Sequence, residues 1–346
     1  MKSVKGLVLG VLLTTSISIL AFFISSLPII KSINLSPLVI GIVIGIVAAN
    51  SIGSRLPSHF EDGITFSAKK ILRFAIVFYG FRITFSQIAE VGLEGFLVSL
   101  IMVVSTFIIG SFVGMKFFGL DRDTAMLTAS GASVCGAAAV LATEPVLKAK
   151  EHKVAVAVAM VVLFGTISMF LYPILWSVVF SKATGFLHLS QAEFGIYAGG
   201  SIHEVAQVVA VSTINGADTQ MAHNGVIVKL TRVLLIAPML IILSIYLAKS
   251  SSLEHKTKLV IPWFAVYFVI VAGFNSLELL PKEIVDTINS IDTFLLTMAM
   301  SALGLKSRFA NFKSLGAGPF YTALVMFAWL VVGGFLVVKF VGFILG

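Results

Sequence analysis

The chain has little charge and almost no cysteine. Charged residues occupy 12% of its 346 positions, about half the share of an average soluble domain, too few to cover a water-facing surface of this length. A lone cysteine, Cys135, excludes an intrachain disulfide. No nucleotide-binding loop occurs, which excludes ATP-driven work without a partner. No connecting stretch is long enough for an inserted soluble domain. The apolar run behind Lys2 and Lys5 resembles a signal peptide, but no Ala-x-Ala site follows it. That run is therefore expected to stay in the mature protein as its first membrane helix.

What the chain does have is hydrophobic length. It is 58% hydrophobic, with a mean hydropathy of +1.06. Apolar runs lie near 7–27, 37–53, 70–86, 95–118, 124–143, 154–180, 191–213, 223–248, 260–275, 290–305 and 315–345. Most approach the ~20 residues a helix needs to cross a bilayer, and an open sheet cannot satisfy its backbone in lipid. The fold class expected is an all-α polytopic membrane protein of 9–11 segments. The net charge of +8 comes from Lys and Arg at the ends of apolar runs, where positive-inside topology puts them. No nucleic-acid partner is expected.

Two runs are unlike ordinary spans. Ala129–Ala139 is almost all small residues, and Ala198–Gln207 sets ionisable groups beside Gly199 and Gly200. Each glycine weakens a helix by about 1 kcal/mol relative to alanine, so both stretches are expected to be broken. Loop charge agrees. With the N-terminus inside, Arg55, Lys69, Lys70, Lys116, Arg122, Lys306, Arg308 and Lys313 fall inside. The clusters Lys148, Lys150, Lys153 and Lys249, Lys256, Lys258 join them only if 124–143 and 191–213 each fail to cross fully. The reading is two re-entrant or broken segments with about nine full spans, or two discontinuous helices that cross.

The chain also repeats. Shifted by 224, Gly80-Phe-Arg82 lies on Gly304-Leu-Lys306, Phe85 on Phe309, Gly92 on Gly316, Phe96 on Phe320, Met102 on Met326 and Gly110 on Gly334. With one residue of slippage, Pro37 and Asn50-Ser51 lie on Pro262 and Asn275-Ser276. An odd number of crossings separates the copies, so the second is expected upside down, as in many secondary transporters with interrupted helices. The expected division is a first inverted repeat at 1–120, a central segment at 121–222 and a second repeat at 223–346.

Charge inside a span costs at least ~2.5–3.5 kcal/mol, so Arg82, His203, Glu204, Lys229 and Arg232 are candidates for function. His203 and Gln207 stand at i and i+4, on one face of a continuous helix. The string His-Glu-Val-Ala-Gln approaches the His-Glu-x-x-His zinc motif, but Gln207 replaces the second histidine and is a poor ligand. His203 and Glu204 read either as proton-coupling or substrate groups or as a hydrogen-bond network holding a bent helix. Lys229 and Arg232 share a face at i and i+3 and repel unless an anion or an acid such as Glu204 lies between them. The alternative is that they snorkel to the interface, a reading that fits Arg82 at least as well. Ser130, Ser133 and the amides of a broken helix suit an anion, or the stretch is simply tight packing through small residues. Cys135 reads as a packing residue before a reactive one.

The strings Tyr79-Gly-Phe-Arg82, Gly131-Ala-Ser-Val-Cys-Gly136, Ile202-His-Glu-Val-Ala-Gln-Val-Val209 and Lys229-Leu-Thr-Arg232 resemble the YeiH-type family of bacterial inner-membrane proteins. The resemblance covers nearly the whole chain. It implies an inverted-repeat core with interrupted helices, similar to that of cation/proton antiporters and bile-acid-type symporters. It also implies a location in the bacterial inner membrane and export of sulfate or a related sulfur oxyanion. The matching motif residues are Ser133, Cys135, His203, Glu204, Gln207, Lys229 and Arg232. The function expected is alternating-access transport of a small inorganic or organic anion with proton or sodium coupling, without catalysis, metal or cofactor. A homodimer is within the expectation. A sodium/proton antiporter is the runner-up, although neither broken segment contains an Asp. An intramembrane enzyme is the third reading.

Overall fold

The computed structural model describes residues 4–27, 30, 36–51, 60–216, 219–250, 263–308 and 316–345. The expected matches Pro262 and Phe309 and the cations Lys2, Arg55, Lys256, Lys258 and Lys313 lie outside them. Among the described residues every regular element is helical. The α-helices are α1 Val4–Ser26, α2 Pro37–Ser51, α3 Glu61–Phe66, α4 Leu72–Phe78, α5 Phe85–Lys116, α6 Arg122–Ser133, α7 Ala137–Leu147, α8 Glu151–Ile174, α9 Gln191–Ser201, α10 Val205–Ser212, α11 Gln220–Leu234, α12 Ile236–Ser250, α13 Trp263–Asn275, α14 Lys282–Lys306, α15 Ala317–Ala328 and α16 Gly334–Leu345. Among the described residues six stretches are long and apolar enough to span a membrane: Lys5–Ser26, Phe85–Lys116, His152–Phe180, Gln220–Leu247, Lys282–Lys306 and Ala317–Leu345. Four shorter apolar helices accompany them.

Local chemistry explains the starts. Proline opens α2 at a position whose N–H has no helical partner in any case. Ser190 and Glu193 form a reciprocal capping box at α9, and Thr219 accepts from Ala222 N at α11. Two expected boundaries move. The run 95–118 belongs to a helix that starts at Phe85 and kinks at Gly92, and the run 290–305 belongs to one that starts at Lys282. In each case polar residues hid an earlier start, and the second shift moves Asp292 from the edge of the expected run to the interior of a helix.

The chain divides into two compact units that cut across the expected repeat boundaries: Met1–Ile88 with Thr213–Asp218 and Trp263–Ala310, and Ala89–Ser212 with Thr219–Pro262 and Asn311–Gly346. Each expected copy contributes to both.

In the first unit α2 packs along α14, and α13 packs along α4 and the 3-10 turn Tyr79–Arg82. The contacts are reciprocal. Asn50 Nδ2 donates to Ser307 O at 2.9 Å, and Asn275 Nδ2 donates to Ile83 O at 3.2 Å. Each asparagine thus satisfies a carbonyl just past the helix it packs against. The glycines repeat the pattern. A Cβ on Gly304 would strike Ile42 O, and one on Gly80 would meet Phe268 O at 2.8 Å. Only hydrogen at those positions lets the backbones approach so closely.

The second unit holds the most enclosed helices. All of α10 and nearly all of α6 and α11 are buried, so these segments face protein rather than lipid. Tyr172 of α8 stacks on Tyr197 of α9 at 4.9 Å and donates to Ser201 Oγ at 2.8 Å, which fixes the end of α9. At the start of α6, Asp121 accepts from Thr124 N at 3.3 Å and from Lys153 Nζ at 2.5 Å. Partial burial pushes the Asp121 carboxyl up, but the bonds from Lys153 and Thr124 together outweigh it and hold it at about 2. A depressed carboxyl contributes stability above its unfolded value and loses it as pH falls through the folded one. The stability gap between wild type and Asp121→Asn is therefore expected to be full at pH 5 and to close between 3.8 and about 2. Thermal unfolding of both proteins across that range checks it. Asparagine keeps the cap, so the gap reports the charge alone.

Candidate functional site

Both odd segments are broken helices, and the breaks converge on α11. α6 stops at Ser133, and α7 restarts at Ala137 after Val134, Cys135 and Gly136. Gly136 has φ +75 and ψ −141, a region essentially closed to residues with a side chain. α9 stops at Ser201, and Ile202 is extended with φ −69 and ψ 149 before α10 begins at Val205. A break in a buried helix leaves the carbonyls of its last turn without intrahelical donors. That deficit shapes the site.

Lys229 and Arg232, both fully buried on α11, meet it. Lys229 Nζ donates to Val134 O and to Ile202 O, both at 2.7 Å, one carbonyl from each break. Arg232 Nε donates to Ser133 O at 3.1 Å. Its Nη2 reaches Ser133 O at 2.5 Å and Ala132 O at 3.1 Å, and its Nη1 reaches Gly199 O and Ile202 O at 3.3 Å. The five N–H donors of a guanidinium are matched by five carbonyl contacts. Cations at helix C-termini also oppose the negative end of the helix dipole. The sequence reading set an anion or Glu204 between the two charges. In the structure backbone carbonyls lie against them, because a broken helix end is itself an acceptor cluster.

The restarting ends carry the opposite chemistry. Glu204 lies beside the first turn of α7, near Ala137, where a carboxylate suits the positive end of the dipole. Its side chain fills the space beside Gly136, and a Cβ there would fall 2.5 Å from Glu204 Cγ. The Glu204 N–H in turn donates to Gln207 Oε1 at 3.1 Å, the return arm of a capping box. This corrects the i, i+4 relation of His203 and Gln207. The helix begins only at Val205, so His203 lies in the break and shares no helical face with Gln207. His203 is buried, feels the charges of Lys229 and Arg232, and has no hydrogen-bond partner at Nδ1 among the described residues.

The remaining candidates divide. Ser133 Oγ donates to Ser130 O at 3.1 Å, and Ser130 Oγ pairs with Thr143 Oγ1 at 2.6 Å. Both hydroxyls are thus engaged within their own broken pair of helices. Cys135 is buried in the first break. Arg82 belongs to the other unit. It is buried rather than snorkelling, with 6% of its side chain exposed, and its Nε stands 3.8 Å from Asp292 Oδ2. Sequence reasoning missed Asp292, which sat at the edge of the expected run 290–305. The available signal was Arg82 itself, since a buried guanidinium calls for an acid.

The chain matches a family model described as "Conserved hypothetical protein 698" over residues 9–323. It is 48% identical over 320 residues to a UPF0324 membrane protein of Bordetella bronchiseptica, covering 91% of this chain and 97% of that one. The UPF0324 inner membrane protein YeiH of Escherichia coli K12 is 44% identical over 330 residues, 94% of this chain and 91% of the relative. A UPF0324 membrane protein of Bacteroides thetaiotaomicron is 43% identical over 336 residues, 96% and 97% of the two chains.

Proposed function

The chain belongs to the UPF0324 family and is a multi-pass protein of the bacterial inner membrane; from that premise we propose that it is a secondary carrier of a small anion rather than an enzyme. One observation carries the reading. Two buried cations and one carboxylate, Lys229, Arg232 and Glu204, meet at two helix breaks. Counted as ionised they leave one positive charge uncompensated in a region enclosed by protein. An anion completes the balance, and unpaired charge at membrane depth is costly enough to make that completion favourable. His203, with a buried nitrogen still open, is the side chain placed to meet it. A dianion such as sulfate overshoots the balance by one charge, which a co-bound proton or sodium ion corrects. This ties the substrate class to ion coupling.

Alternating access by inverted repeats is the matching mechanism. Its support lies in pairs 224 or 225 residues apart. Asn50 and Asn275 make equivalent bonds to Ser307 and Ile83. Gly80 and Gly304 approach equivalent backbones. Gly92 and Gly316 both adopt positive φ, Gly92 at the kink within α5 and Gly316 just ahead of α15. The compact-unit boundaries after Ile88 and Ala310 lie 222 residues apart.

The test is a thermal-shift screen of the purified protein against sulfate, sulfite, thiosulfate, sulfonates and carboxylates, followed by uptake in liposomes. A bound anion at a hundred times its Kd stabilises by about 2.7 kcal/mol. At least one of these anions is expected to raise the unfolding temperature, and His203→Gln is expected to remove the shift while the fold survives. Equal shifts with sodium alone, and none with anions, would point to a sodium/proton antiporter and overturn the anion assignment.

A further inference from the structure

The first unit carries a second buried charge cluster that the two breaks do not use. We propose that Asp292 is an exchangeable proton carrier, alternating between an ion pair with Arg82 and a neutral carboxylic acid. The proposal rests on the transporter reading for its purpose, though not for its chemistry.

The geometry singles out Asp292. It sits within the apolar helix α14 with no exposed side-chain surface. Neither of its oxygens has a hydrogen-bond partner among the described residues, and Asn289 Oδ1, one turn earlier on the same helix, also lacks one. A buried carboxylate with no donor is among the costliest groups a protein can hold. Arg82 does not relieve it well, because 3.8 Å is beyond hydrogen-bond length. The guanidinium instead donates to Thr293 Oγ1 at 2.7 Å and to Asn289 O, and lies over the Tyr79 ring at 5.4 Å. These partners are neutral and still hold Arg82 when Asp292 loses its charge. Protonation forms one O–H bond on the carboxylate, dissolves the ion pair and raises the net charge of the cluster by one. The new O–H has an acceptor in Asn289 Oδ1, three residues back on the same helical face. A fixed guanidinium so close disfavours a metal cation at the same carboxylate.

No other described charge competes. α2, packed along α14, contains no titratable side chain. Glu61 and Lys69 gather instead around Lys306, fourteen residues along α14, about 21 Å away; Asp62 and Lys70 are their neighbours in sequence. Arg73 lies over Phe264 at 6.0 Å. Lys5 is exposed at the start of α1, Tyr267 is exposed on α13, and Lys282, Glu283 and Asp286 are exposed at the start of α14.

The test is pH-difference infrared spectroscopy of the full-length protein in lipid, without substrate. The expected result is a carboxylic-acid C=O band that grows as pH falls, vanishes in Asp292→Asn, persists with a displaced midpoint in Asp292→Glu and is unchanged in Glu204→Gln. A spectrum in which Asp292→Asn removes nothing, although the variant elutes like wild type and Asp292→Glu shows no displacement, overturns the proposal. In proteoliposomes a one-unit pH gradient should change anion accumulation about tenfold for one coupled proton, and Asp292→Asn should flatten that response. Equal pH dependence in both proteins also overturns it. A chain that moves no anion would remove the transport reading while the infrared band still decides the proton site.

Discussion

Arg232→Ala should destabilise the protein by about 3–6 kcal/mol. The substitution takes the Arg232 donors from the carbonyls of Ala132, Ser133 and Gly199, leaving Ile202 O with Lys229 alone. A buried carbonyl left unsatisfied costs about 1–3 kcal/mol, and the vacated volume adds a cavity cost that entering water only partly offsets. The unfolding temperature should fall on the order of 10 °C. Arg232→Lys should lie between, because one ammonium has three donors and cannot span both breaks as a planar fork does. Melting of the purified variants in detergent measures both. If Arg232→Ala melted with the wild-type protein, the carbonyl-capping role would be wrong and Arg232 would be free for a ligand. Losing only anion binding, with no loss of stability, would say the same.

Gly136→Ala carries the second large effect. Two penalties add at that residue. A backbone with φ +75 and ψ −141 costs a non-glycine residue about 1–3 kcal/mol. The new methyl also lands 2.5 Å from Glu204 Cγ, and overpacking of that kind costs about 1–3 kcal/mol. Together they predict a loss of about 2–6 kcal/mol. The two parts separate in a double-mutant cycle. Glu204→Ala clears the space, so Gly136→Ala should be roughly 1–3 kcal/mol less harmful in that background, while the conformational part remains. An equal penalty in both backgrounds would mean that Glu204 does not occupy the space beside Gly136.

Much of this architecture was legible because membranes simplify the code. Hydrophobic length located the spans, and glycine with small residues marked both breaks, at Val134–Gly136 and Ile202–Glu204. The proposed repeat was suggested by glycine and asparagine positions, and Gly80, Gly304, Asn50 and Asn275 make close backbone contacts. Three features could not be read. The acceptors for Lys229 and Arg232 are backbone carbonyls, which every residue carries and no side-chain pattern announces. The face shared by His203 and Gln207 was drawn on a continuous helix, and the break removes it. Asp292 was missed because it stood two residues from the edge of the expected run 290–305, where a charge reads as a boundary residue, until a helix from Lys282 to Lys306 sets it well inside.

The exchanged asparagine bonds have a consequence for biogenesis. Asn50 waits for Ser307, and the carbonyl of Ile83 waits for Asn275, so neither copy can complete its own polar contacts. At translation rates of 5–20 residues per second, the ribosome needs roughly 10–40 s to travel from the end of the first partner to the start of the second. During that interval the early helices stand in the bilayer with glycine-lined grooves and polar groups unmatched. A chain truncated ahead of Trp263, which lacks both late partners, should therefore be degraded rather than stored.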